Sequence, residues 1–255
     1  MANITDFINR PKSMIIAPAG HGKTHMITDC LISIQHSSRC LILTHTHAGI
    51  ASLREKIKKR DINPEKYTLD TISSFALKYT NAFHINRENF PDAENSHQYF
   101  NFAIATATNL VLAKPIQKVL KTTFSHLIVD EYQDCSKEQH KLIQNISLTL
   151  PTHILGDPLQ GIFSFNNELV NLYSPDEMGE FLQNKQELST PWRWNNAGSP
   201  SLGTALLDIR TKLISNQPIN LDDYKDSIST IIEKPENFYK IRNSNAKTTI
   251  WNEVN

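Results

Sequence analysis

The stretch Ser13-Met14-Ile15-Ile16-Ala17-Pro18-Ala19-Gly20-His21-Gly22-Lys23-Thr24 decides how this chain folds. It begins as a continuous apolar run, passes through a turn of small residues and enters a helical pattern. From Lys23 to about Gln35 the apolar residues Met26, Ile27, Cys30, Leu31 and Ile34 recur at helical period. The unit then repeats. Residues 40–44 read as a strand, and residues 48–59 as a helix with Leu53 and Ile57 inward. Residues 67–72 form a shorter strand. Residues 126–130 and 153–157 give two more, separated by a helix over 137–147. Apolar strands that each end in polar residues and each lead into a helix make an α/β protein with a parallel sheet covered on both faces. In such sheets ligands gather at the carboxyl ends of the strands.

Composition narrows the class. The 255 residues are 39% hydrophobic and 20% charged, which excludes collagen, coiled coil and wholesale disorder. No run approaches the roughly 20 apolar residues of a membrane span, so no membrane partner is expected. Met1-Ala2-Asn3-Ile4-Thr5-Asp6 has no basic segment followed by an apolar run, so no signal peptide is expected. Cys30, Cys40 and Cys135 are odd in number and fit neither a disulfide framework nor a zinc site. They read as buried reduced thiols of a cytoplasmic protein. His45 and His47 form an H-x-H without a second ligand pair, which argues against zinc. Lys+Arg and Asp+Glu are 26 each. A zero net charge is unlike a small dedicated DNA-binding domain, although a local basic track is still compatible with it.

Two strand ends carry chemistry. Ala17-Pro18-Ala19-Gly20-His21-Gly22-Lys23-Thr24, with His25 next, has the spacing G-x-x-x-x-G-K-[ST] with Ala17 in the first Gly position. Small residues let backbone N–H groups curl around a phosphate at the positive end of a helix. Lys23 is placed to reach the β- and γ-phosphates of ATP, and the Thr24 hydroxyl to ligate Mg²⁺. Asp130-Glu131-Tyr132-Gln133-Asp134 follows Leu127-Ile128-Val129. An Asp at the tip of a neighbouring strand holds Mg²⁺, and the adjacent Glu131 is placed to deprotonate the attacking water.

At these residues the sequence resembles superfamily 1 helicases of the UvrD/PcrA/Rep type. Asp130 to Asp134 is similar to their D-E-x-Q-D motif II, and the initial Ala17 is typical of their motif I. Thr44-His45-Thr46-His47 with the following helix resembles motif Ia, and Asp70-Thr71-Ile72-Ser73-Ser74-Phe75 the T-x-H-S-F motif. Leu155-Gly156-Asp157-Pro158-Leu159-Gln160-Gly161-Ile162-Phe163-Ser164-Phe165 resembles motif III. Leu188-Ser189-Thr190-Pro191-Trp192-Arg193 resembles part of motif IV. The resemblance covers roughly residues 10 to 200. It implies a RecA-like P-loop NTPase fold with ATP and Mg²⁺ as cofactors and single-stranded or partly duplex DNA as partner. By this resemblance Lys23 and Thr24 hold triphosphate and metal, Asp130 holds metal, and Glu131 is the base. Gln160 senses the γ-phosphate and Arg193 contacts it. Thr44, His45, Thr46, Ser73, Phe163 and Phe165 meet DNA, the aromatics by sequence-tolerant stacking. There are departures. His45 stands where an aromatic is usual, Ala48 where a Lys is usual, and Ser73 where a His is usual. No Gln of the family's adenine-reading element lies within residues 4–12, and Trp192 and Trp194 flank Arg193. The basic run from Arg54 to Arg60 reads as a solvated helix end.

The expected organisation is a RecA-like ATP-binding domain over 1–81 and 123–215, with a small helical insertion over 82–122. Residues 216–255 would be a connector and the start of an incomplete second RecA-like domain. Tyr239-Lys240-Ile241-Arg242-Asn243-Ser244-Asn245-Ala246, followed by Trp251, resembles that domain's first strand and helix. The rest of the second domain is then expected in a longer chain or from another chain. Two functions follow. One is the ATP-hydrolysing first domain of a DNA helicase or translocase. The other is a helicase-like ATP-sensing subunit that assembles with a nuclease, by analogy with anti-phage defence complexes. A P-loop kinase or GTPase is disfavoured, because D-E-x-Q-D and G-D-x-x-Q have no role there.

Overall fold

The computed structural model describes residues 3–34, 38–84, 90–92, 96–161 and 168–228. Their contacts divide the chain into two compact units, Met1–Arg193 and Trp194–Asn255.

The first unit is an α/β layer structure of the P-loop RecA-like class. Its strands are β1 (Lys12–Ile16), β2 (Cys40–Thr44), β3 (Tyr67–Thr71), β4 (His126–Val129), β5 (Thr152–Gly156) and β6 (Lys185–Glu187). They form one six-stranded sheet in the order β3-β2-β4-β5-β1-β6, and every pairing is parallel. All carboxyl ends therefore lie along one edge.

Helices cover both faces because the strand side chains alternate. Met14, Ile16, Leu41, Leu43, Leu127, Val129 and Ile154 face one cluster. Ile15, Ala17, Ile42, Ile128 and Leu155 face the other. On the second face pack α1 (Ile4–Asn9), α2 (Lys23–Ser33) and α3 (His47–Lys59), through Phe7, Ile27, Leu31, Leu53 and Ile57. On the first face pack α4 (Ile72–Phe83), α5 (Ser96–Leu110), α6 (Lys114–Thr123) and α7 (Lys137–Ser147). Their contributions include Phe75, Ile104, Ala107, Ile116, Leu120, Leu142 and Ile146. The segment read as an insertion thus supplies α5 and α6 to the same core as the sheet. Burying a Leu or Ile side chain contributes about 1.5–3 kcal/mol, so these two helices are tied down by their apolar stripes.

Several helix starts are written locally. Thr46 caps α3 by accepting from the Gly49 amide, and Thr71 caps α4 by accepting from the Ser74 amide. Ser136 and Gln139 form a reciprocal capping box at α7. Two short helices, α8 (Pro175–Met178) and α9 (Glu180–Gln183), lead into β6.

Two features differ from the sequence expectation. The acidic strand β4 is not the immediate neighbour of β1, because β5 lies between them. Asp157 at the tip of β5 thereby enters the space between the two motifs. Strand β6 carries no apolar run. Lys185-Gln186-Glu187 is an edge strand held on one side only, by pairing with Met14, Ile15 and Ile16, so no periodicity announces it.

In the second unit, α11 (Pro200–Ile214) follows α10 (Trp192–Asn196), which begins in the first unit. Residues 194–215, expected with the ATP-binding domain, fall in this second unit. Within it Lys212 Nζ donates to the Tyr224 hydroxyl at 2.8 Å, and that hydroxyl donates to Asp208. The stretch 239–251 lies outside the described residues. Among the described residues no helix is long and apolar enough to cross a membrane.

At the amino ends of the strands His153 is fully buried. Ser13 Oγ donates to the Phe7 carbonyl at 2.9 Å and lies 2.7 Å from His153 Nδ1. With the hydroxyl proton spent on Phe7, Nδ1–H is the donor of that second bond. Burial, then the nearby His126 ring, lowers the His153 pKa to about 3. The unfolded chain therefore binds a proton first as pH falls below the ordinary value of 6.5, and stability contributed by neutral His153 is lost between 6.5 and 3. We expect the stability gap between the native chain and His153→Asn to narrow by roughly 2 kcal/mol between pH 6.5 and 5, at about 1.4 kcal/mol per pH unit. Denaturant titrations at the two pH values measure it, and parallel pH curves would contradict the neutral buried imidazole.

Candidate nucleotide and nucleic-acid sites

The loop after β1 wraps back on the sheet. The Ala17 amide donates to the Gly156 carbonyl at 3.0 Å, and the His21 amide to the Pro18 carbonyl at 3.2 Å. His21 is buried, and its Nδ1 hydrogen-bonds the Ala19 carbonyl at 2.9 Å. Gly20 and Gly22 have φ of 73° and 99°. Only glycine adopts the latter without strain, and it begins α2 with no side chain capping the first amides. Those amides and Lys23 provide donors for a phosphate group.

Lys23 is 9% exposed, and its Nζ lies 2.9 Å from Glu131 Oε2. The phosphate-binding lysine and the expected base are therefore in contact, although they come from different strand ends. Glu131 has φ 52°, in the left-handed region. Strain of this kind clusters at functional positions. Asp130 is buried and accepts from the Glu131 amide at 3.0 Å. Burial first, and then Glu131, push the Asp130 pKa up to about 6, with Lys23 opposing. Burial and Glu131 do the same for Asp134, also to about 6. Three carboxylates thus crowd one lysine, an environment that favours added positive charge.

Thr24 Oγ1 accepts from Lys56 Nζ at 3.1 Å. The basic run of α3, expected to be solvated, in part turns onto α2 instead. Lys56 reaches Thr24, and Arg60 bonds Thr28 and Asp29. The donor set of Thr24 hydroxyl and Asp130 carboxylate fits Mg²⁺, which prefers hard oxygen ligands and takes one or two from protein beside phosphates and waters. No cluster of three or more metal-ligating side chains occurs among the described residues.

Gln133 sits at the centre of this site. It is 4% exposed. Its Nε2 donates to Glu131 Oε2 at 2.9 Å, and its Oε1 accepts from the Asp157 amide at 2.9 Å. Gln160 Nε2 donates to Asp157 Oδ2. Its place in the D-E-x-Q-D motif does not by itself signal these two contacts. The folded chain makes it the link between the acidic end of β4 and the end of β5.

Arg193 docks beside the loop through its amide, which donates to the Gly20 carbonyl at 3.0 Å. A pocket of about 210 Å³ adjoins the loop, lined by Ile4, His25, Met26, Leu188 and Trp192 among others. The Trp192 indole stands against Gly22. Its position follows from the pairing of β6 with β1, which delivers residues 188–193 to the loop.

A larger cleft of about 570 Å³ opens where β2 and β3 end. It is lined by His45, Thr46, Thr71, Ser73, Ser74, His97, Phe100 and Gln139 among others. Three expected contacts, His45, Thr46 and Ser73, are brought together there. Thr44 is not: it is 1% exposed, packed under Gly49. Phe163 and Phe165 lie outside the described residues. His97 and Phe100 on α5 were not anticipated, because their neighbourhood with motif residues is a product of helix packing. Burial lowers the His45 pKa, so its imidazole is neutral near pH 7. The lining is hydroxyl, imidazole, amide and phenyl, suited to sugar and base edges more than to paired phosphates.

A family model described as an AAA domain matches residues 2–166. No curated protein matches the chain. Among the solved structures that match is the arterivirus nonstructural protein 10 helicase in complex with DNA, 12% identical with a TM-score of 0.37. The match covers 71% of this chain and 37% of that one, so the chain spans well under half the length of that helicase.

A Cβ on Gly22 would lie 3.3 Å from Trp192 Cδ1 and would sit at φ +99°. Gly22→Ala is expected to cost about 1–2 kcal/mol in thermal or denaturant unfolding and to shift tryptophan emission as Trp192 is displaced. Unchanged stability and emission would show that the loop tolerates a side chain there.

Proposed function

Because the chain belongs to the AAA domain family, we propose that it is a nucleoside triphosphatase, the ATP-binding half of a UvrD-like superfamily 1 DNA helicase or translocase. The observation that carries this reading is the contact between Lys23 and Glu131 beside Thr24 and Asp130. The amides at the start of α2 and the Lys23 ammonium receive the β- and γ-phosphates. Binding phosphate draws Lys23 away from Glu131, and the freed carboxylate accepts a proton from the attacking water. Thr24 and Asp130 hold Mg²⁺, which when bound neutralises charge developing on the phosphates. Trp192 stacks on the base. Gln160 and the Arg193 side chain read the γ-phosphate, as the resemblance implies.

A single strand lies in the cleft of His45, Thr46 and Ser73, its bases against His97 and Phe100. Translocation needs a second RecA-like domain, in the same longer chain or from another, because stepping depends on two bodies closing and opening around nucleotide. The three cysteines are free and buried, as suits a cytoplasmic site of action.

Two substitutions separate binding from chemistry. Lys23→Ala is expected to abolish ATP binding in equilibrium titrations. Glu131→Gln is expected to keep ATP binding while steady-state turnover, measured with single-stranded DNA and the completed motor, falls by about 10²–10⁴-fold. Normal turnover of Glu131→Gln would remove Glu131 from the role of base.

A further inference from the structure

We infer that Gln133 is a positioning residue that transmits the state of the phosphate site to the segment 157–161 through the two ends of its amide. This deepens the nucleotide-hydrolysis reading and rests on it.

Glu131 Oε2 is a carboxylate oxygen and only accepts, so the Gln133 NH₂ must face it. The Asp157 amide only donates, so the Gln133 carbonyl must face that. Both contacts are 2.9 Å. A side chain with a donor and an acceptor on one planar terminus, at glutamine length, satisfies both at once. Asn is a methylene too short. Glu would set a third negative charge against Glu131 and Asp134. Met leaves the buried Asp157 amide unpaired.

The surroundings are built to hold this side chain. A Cβ on Gly156 would lie 3.0 Å from Gln133 Oε1 and 3.2 Å from the Gln133 nitrogen. A Cβ on Gly161 would lie 3.2 Å from the Gln133 carbonyl oxygen. The two glycines that bracket Asp157, Pro158, Leu159 and Gln160 thus let that segment close on Gln133 from both ends. Asp157 in turn holds Gln160.

The amide NH₂ already serves two carboxylates. Gln133 Nε2 donates to Glu131 Oε2 and, at 3.4 Å, to Asp134 Oδ2, while the buried Asp134 Oδ1 has no hydrogen-bond partner. When triphosphate takes Lys23 and Glu131 turns toward water, the Gln133 NH₂ loses Glu131 and closes on Asp134. That rotation moves Oε1, and with it the Asp157 amide and Gln160. The device has two states, and the phosphate site biases which one is occupied.

The test uses the full chain, a non-hydrolysable ATP analogue with Mg²⁺, and hydrogen exchange over residues 157–161. In the native chain, analogue binding is expected to change exchange there by about fivefold or more. In Gln133→Met the analogue should bind within about threefold of the native affinity while that response falls below about twofold. Gln133→Glu retains the acceptor for the Asp157 amide but replaces the donor to Glu131 by a like charge, so the response to the analogue should be lost. In turnover with DNA and the completed motor, Gln133→Glu should lower kcat by about tenfold or more with KM for ATP within about threefold. A merely structural role would move stability and KM instead. A native-size exchange response in Gln133→Met, or a native segment that ignores bound analogue, would overturn the relay. Failure of the native chain to bind the analogue at all would instead count against the nucleotide site, and the relay would fall with it.

Discussion

A lysine ammonium and a glutamate carboxylate, 2.9 Å apart and arriving from the ends of β1 and β4, are the charges around which the rest of this molecule is arranged. Taking a charge out of water costs several kcal/mol unless a partner and hydrogen bonds answer it. Lys23 is almost covered, and Glu131 has the Lys23 ammonium and the Gln133 amide. The pair exists only because β1, β5 and β4 lie side by side and parallel, so that the loops leaving β1 and β4 meet above the end of β5. A sheet with β1 or β4 reversed would carry the same residues and separate them by the length of a strand.

The same constraint explains why the site is crowded with carboxylates. Asp130, Glu131 and Asp134 share one strand end, and burial raises two of them toward pH 6. Such a cluster is costly in isolation and becomes favourable when cations enter. In the structure Lys23 and Lys56 partly fill that need. A nucleotide carrying a divalent ion would fill it better, because it brings the positive charge to Asp130 and Thr24 and the negative charge to Lys23.

The second cleft is chemically different. Its hydroxyls already serve the fold, since Thr46 and Thr71 cap the helices that follow β2 and β3. Those caps fix where α3 and α4 start and so set the floor of the cleft. Its wall is α5, whose apolar side is bound into the sheet's core. Hydroxyls, amides and rings line the cleft, with no lysine or arginine among its described lining residues. The single strand proposed for this cleft would be held by shape and stacking more than by counterion release.

The apolar runs at 13–17, 40–44, 126–129 and 153–156, with their following helices, determined the α/β class by themselves, because a strand buried on both faces leaves an unbroken hydrophobic signature. Gly20, Gly22, Lys23 and Thr24, with Asp130 and Glu131, were likewise legible, since each chemistry demands those residue types at that local spacing. Strand order was not. Nothing local in Thr152–Gly156 says that it will lie between β1 and β4, because order is set by which helices cover which face. The same holds for polar β6, which exists through pairing with β1. Gln133 as a link, Trp192 against Gly22, and Phe100 beside Ser73 join residues distant in the chain, or partners too generic to signal their role. Only the folded chain, in which packing brings separate strand ends within hydrogen-bond reach, decided them.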